Sequence, residues 1–66
     1  MNATIKRYDI EANGRAMGRY SGANADDAIE VYARDSGYRD FETLASTLGL
    51  STDAARAELA VCEVTS

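Results

Sequence analysis

Asn24-Ala25-Asp26-Asp27-Ala28-Ile29-Glu30-Val31-Tyr32-Ala33-Arg34-Asp35-Ser36-Gly37-Tyr38 holds a start signal, an apolar stripe and a stop signal in the order one amphipathic helix requires. Asn24 has a side-chain oxygen able to accept from a free backbone N–H of the first turn. Asp27, three residues on, can reach back in the manner of a capping box. Asp26 and Asp27 put negative charge on the positive end of the helix dipole. Ala25, Ala28, Ile29, Tyr32 and Ala33 follow the spacing of one buried stripe, and Asp26, Glu30, Arg34 and Asp35 fall outside it. Glu30 and Arg34 are spaced for an i, i+4 ion pair. Gly37 suits the left-handed turn past the helix end, and Tyr38 can pack back onto the last turn.

Upstream, Thr4 to Ala12 alternates, with Lys6, Tyr8 and Ile10 on one side and Ile5, Arg7, Asp9 and Glu11 on the other, which predicts a strand. Asn13-Gly14 is a favoured two-residue hairpin turn, because both residues tolerate positive φ. Arg15 to Ser21 then returns as a second strand. A two-residue loop sets Ile10 opposite Met17, Tyr8 opposite Arg19 and Arg7 opposite Tyr20. The core face is then Tyr8, Ile10 and Met17, with Arg19 at its edge, and Tyr20 lies on the other side as an exposed contact candidate. A longer loop or a bulge near Gly18 is the alternative. Downstream, Asp40 reads as a second cap and Phe41, Leu44, Ala45 and Leu48 as a second stripe. Gly49 ends that helix, and Leu50 can fold back. From Ser51 the expectation is a helical turn at most, around 52–56, followed by a Val- and Thr-rich strand over about 58–65. The predicted fold is α+β in the order β-β-α-α-β. It is one domain over 1–66, a small three-stranded sheet with two helices packed on one face.

Sixty-six residues with 45% apolar content allow one small core, and about 60% of the unfolded surface is buried at this size. The absence of histidine removes the commonest general base and metal ligand. The lone Cys62 cannot form an internal disulfide, which suits a reducing, cytoplasmic setting. No apolar run resembles a signal peptide or a membrane span. Without an activating base, Cys62 is expected to behave as a small hydrophobe rather than a nucleophile. Asp26, Asp27 and Glu30 lack calcium-loop spacing. Asn13-Gly14 and Gly18 lack the Lys-Ser/Thr of a phosphate loop. Tyr8, Tyr20, Tyr32 and Tyr38 have no basic surround that would make a base-stacking platform. No catalytic set, cofactor site or metal site is expected.

Charge is unevenly spread. Residues 1–20 carry a net of +2 and residues 21–66 a net of −6, for −4 in all. That balance disfavours direct nucleic-acid binding, and it reads either as the ordinary solvated surface of a small domain or as an acidic helical face for a basic protein partner. The expected contacts are Asp26, Asp27, Glu30, Asp35, Asp40 and Glu42, with Tyr20.

The run Gly18-Arg19-Tyr20-Ser21-Gly22, then Asp27-Ala28, then Tyr32-Ala33-Arg34-Asp35-Ser36-Gly37-Tyr38-Arg39-Asp40, resembles short proteins of bacteria, their plasmids and phages. These share a hairpin, an "ARDAGY-x-D"-like helix end and a final acidic-apolar strand similar to Cys62-Glu63-Val64. The resemblance spans most of the chain and is carried by turn and cap residues, so it implies a fold and no functional residues. In size and charge the chain is also similar to phage-encoded anti-CRISPR proteins. That likeness implies a non-enzymatic inhibitor docking on a basic nucleic-acid-binding subunit of a type I interference complex. A small structural protein acting as a homodimer, joined through a sheet edge or face, is the other expectation.

Overall fold

Asn13 and Gly14 both adopt positive φ, 53° and 81°, the pair of angles a tight two-residue hairpin turn demands. In the computed structural model, which describes residues 5–64, this turn joins β1 (Lys6–Ala12) to β2 (Arg15–Gly22). Ala12 faces Arg15 as expected, but Ile10 faces Gly18, Tyr8 faces Tyr20 and Asp9 faces Arg19. Met17 has no partner. It is the extra residue of a bulge between these two runs, with Gly18 at φ 137° beside it. The bulge shifts the rest of β2 by one place, and a one-place shift exchanges the two faces of a strand. The regular register of Ile10 on Met17 is therefore corrected to the alternative, a bulge near Gly18, which also moves Arg19 from the edge of the core face to the opposite face, beside Asp9. Met17 leaves the core and is 42% exposed, while Tyr20 enters the core side instead of lying opposite it.

The sheet closes with β3 (Leu59–Val64), which pairs antiparallel to β1 from Ala12↔Leu59 to Arg7↔Val64, in the order β2-β1-β3. The expected ends Thr4 and Thr65 lie outside the described residues. Both outer strands run antiparallel to β1 and hence parallel to each other. Such a pair needs a long crossover, and the helices supply it: α1 (Ala25–Asp35), α2 (Phe41–Thr47) and α3 (Thr52–Ala57). The stretch read as a helical turn at most is a third, six-residue helix, capped where the Ser51 Oγ accepts from the Ala54 N–H at 3.1 Å.

The core lies between the helices and one sheet face. It gathers Tyr8 and Ile10, then Ala28, Ile29, Tyr32 and Ala33 of α1, Phe41, Leu44 and Ala45 of α2, and Ala55 of α3. Ala28 and Ala33 are fully covered, so small side chains let α1 lie close to its neighbours. Ile10 and Ile29, 1% and 2% exposed, each contribute about 1.5–3 kcal/mol by burial. Leu48, expected in the second stripe, is 57% exposed. The chain reverses there through Gly49 at φ 76°, and the Leu50 N–H donates to the Ala45 carbonyl at 2.9 Å. Leu50 packs on the core in its stead. The same motif ends α1, where Gly37 has φ 98° and the Tyr38 N–H donates to the Ala33 carbonyl at 3.0 Å.

Candidate binding surface

The acidic residues of the helical layer divide into those that hold the fold and those that face water freely. Asn24 accepts from the Asp27 N–H at 2.9 Å, and the Asp27 carboxylate accepts from the Ala23 N–H at 3.2 Å. Asp27 thus braces the start of α1 much as a capping box does, but on the amide one residue before the cap. Asp40 caps α2, its Oδ1 accepting from the Thr43 N–H at 2.8 Å. Hydrogen bonds from Thr43, side chain first and backbone second, hold the Asp40 carboxyl below its ordinary pKa, with the Arg39 and Arg34 charges adding to the effect.

Glu30 is spaced to pair with Arg34, but its Oε1 accepts from the Phe41 N–H at 2.9 Å. The first amide of α2 is thereby satisfied by a side chain of α1, which pins the two helices together. Asp35 accepts from the Tyr20 hydroxyl at 2.8 Å. The Tyr20 ring also meets Tyr32 edge-on at a centroid distance of 5.7 Å. Burial, then the hydrogen bond to Asp35 and that carboxylate's charge, push the Tyr20 hydroxyl pKa up. Tyr20, expected as a free contact, is thus half-buried and bolts the end of α1 to β2.

Of the six acids expected to form one contact face, four are engaged in these bonds. Asp26 and Glu42 make no side-chain bond among the described residues and are exposed. Asp26 and Glu30 do come together, beside Asp53 of α3. With Ile29, Phe41, Thr52 and Arg56 they line an open cleft of about 290 Å³. Its floor is apolar, since Ile29 and Phe41 are the buried residues there. Its rim holds three carboxylates against one guanidinium. Asp27, Asp35, Asp40 and Glu42 do not line it. Asp53 and Thr52 were not legible as site residues, because they reach the cleft only through α3. The signals present were Ser51 as a cap and Asp53 in the first turn after it.

Among the described residues, the other side of the sheet carries no helix. Arg7, Asp9 and Glu11 of β1 point there, with Arg19 of β2 and Ala60 and Cys62 of β3, by the alternation of the strand register. The Arg19 Nε donates to Asp9 Oδ1 at 2.8 Å, and this bond and charge lower the Asp9 pKa and raise that of Arg19. Cys62 is exposed on this face. Among the described residues, no three Cys, Asp or Glu side chains gather as a metal site would need, and no helix is long and apolar enough to cross a membrane. No known protein family matches the chain, and no curated protein or solved structure is significantly similar to it.

Proposed function

We propose that this protein is a non-enzymatic binding module whose acidic helical side engages a basic protein surface. The observation that carries the proposal is the segregation of charge between layers. Residues 23–58, which hold all three helices, bear eight acids and three arginines, a net of −5, while the strands are close to neutral. The cleft between α1, α2 and α3 is the focus of that side. Its apolar floor suits the aliphatic stem of a lysine or arginine, and the carboxylates of Asp26 and Asp53 suit the head. The specific form we propose is an inhibitor of the anti-CRISPR kind, acting in the cytoplasm. It would cover a nucleic-acid-binding groove of a type I interference complex without itself binding nucleic acid.

The test is a pull-down against such complexes with a triple variant, Asp26→Asn, Glu42→Gln and Asp53→Asn. These acids carry charge and make none of the bonds described above, so the fold is expected to stay intact. Binding should fall about tenfold or more in the variant and weaken with ionic strength. Capture that ignores both the triple change and the salt would remove the charge mechanism.

A further inference from the structure

We infer that the outer edge of β3 is a self-association edge, where two copies of this chain join into a six-stranded sheet about a two-fold axis at Val61. The direction of the backbone groups carries the inference. The Asn13 N–H donates to the Glu58 carbonyl at 3.3 Å, which continues the β1–β3 ladder one pair beyond Ala12↔Leu59. Antiparallel partners alternate between bonded and non-bonded pairs. Glu58, Ala60, Cys62 and Val64 therefore turn their backbone groups toward β1. Leu59, Val61 and Glu63 turn theirs outward. Among the described residues no backbone group meets these outward positions, and only the Cys62 thiol, at 3.9 Å, approaches the Glu63 carbonyl.

The two sheet edges are not alike. The β2 edge bears a bulge and two arginines, Arg15 and Arg19, features that discourage pairing. Leu59-Ala60-Val61-Cys62-Glu63-Val64 has no lysine, arginine, proline or glycine and pairs with β1 without a shift in register. An extended strand is what such an edge accepts, and the occupant we commit to is the β3 of a second copy, which can pair there without opposing like charges. The outward residues are spaced evenly about Val61. A two-fold axis there sets Val61 against its own counterpart and Leu59 against Glu63, so all three outward pairs bond and no like charges oppose. The Glu63 carboxylate is already offset by Lys6 at 3.7 Å. Leu59 and Val61, half-buried at the margin of the core, would meet the same residues of the second copy, and the two cores would run together. A single strand pairing is small for a specific interface, below about 1,200 Å², so the association depends on concentration.

The test uses the whole chain. Backbone amide exchange is followed by NMR from dilute to concentrated solution. Leu59, Val61 and Glu63 should slow about tenfold as the dimer fills, while the inward Ala60 and Cys62 stay as they were. Val61→Pro removes an outward donor and leaves the β1 ladder intact. Sedimentation equilibrium should give a dimer for the parent chain and a monomer for this variant, with folding checked by circular dichroism. Exchange at the three outward amides that is independent of concentration, or a folded Val61→Pro chain that still dimerises, would overturn the inference. Should the proline variant fail to fold, the exchange series on the unaltered chain decides alone. Neither result bears on the acidic cleft.

Discussion

Tyr20 and Gly18 settle which face of β2 meets the helices. A Cβ built on Gly18 would lie 3.2 Å from the Tyr20 ring and 3.2 Å from its hydroxyl, so the absent side chain is the space the ring occupies. Gly18→Ala should destabilise by about 1–3 kcal/mol, since it combines that crowding with a positive φ. Thermal denaturation would measure it. Tyr20→Phe keeps the ring and loses the bond to Asp35, which should cost about 0.5–1.5 kcal/mol near neutral pH. The pH dependence has a definite sign. The hydroxyl ionises less readily in the folded chain than at its ordinary value of 10.0. Its contribution is therefore whole below that value and is lost as pH rises through the folded pKa. Urea titrations on both sides of pH 10 should show the parent chain losing stability where Tyr20→Phe does not. This register was half-legible in the sequence. Asn13-Gly14 announced the turn, but the bulge depends on Tyr20 finding Tyr32 and Asp35, and those contacts exist only once α1 has docked.

At the scale of elements, short helices are fixed chiefly by their ends. A seven-residue helix such as α2 is too short to persist alone. It is anchored by Asp40 on one of its amides and Glu30 on another. Glu30→Ala should cost about 1 kcal/mol, as cap removals do, and should loosen α2 while leaving α1 formed. Amide exchange at Phe41, Leu44 and Ala45 would report it. Asp40 gives an acid-side signature. Its pKa lies below the ordinary 3.8 in the folded chain, so its stabilisation is present above that value and lost as pH falls through the lowered one. Asp40→Ala should flatten the acid limb of the stability curve. The caps, the glycine stops and the buried stripe of α1 were legible because each is a local rule. The Glu30 bond was not, since an i+4 arginine is nearby in sequence while Phe41 comes close only after the chain turns at Gly37. Likewise α3 has a cap but only one buried residue, Ala55, too weak a pattern to separate a helix from a turn.

At the scale of the whole molecule, the acidic side is largely a by-product of building three helix starts in so short a chain. Each start takes carboxylates for its dipole or its amides, and Asp26, Glu42 and Asp53 sit in the first turns and serve the dipole alone. Neutralising Asp27 or Glu30 removes a hydrogen bond as well as a charge, whereas the Asp26, Glu42 and Asp53 triple change removes first-turn charge alone and should lower the melting temperature less per residue changed. Comparing the two sets by calorimetry separates charge from scaffold before any partner is tested.

The register of β3 on β1 puts Arg7 beside Val64, at opposite ends of the sequence yet neighbours in space. That pairing is the costliest loop for the chain to close, because it waits on everything between. Tying those two ends with a flexible segment and cutting between Leu50 and Ser51 would rewrite the polypeptide as α3-β3-β1-β2-α1-α2. Every strand pairing then becomes a hairpin, so the permuted chain should reach the same architecture faster than the parent.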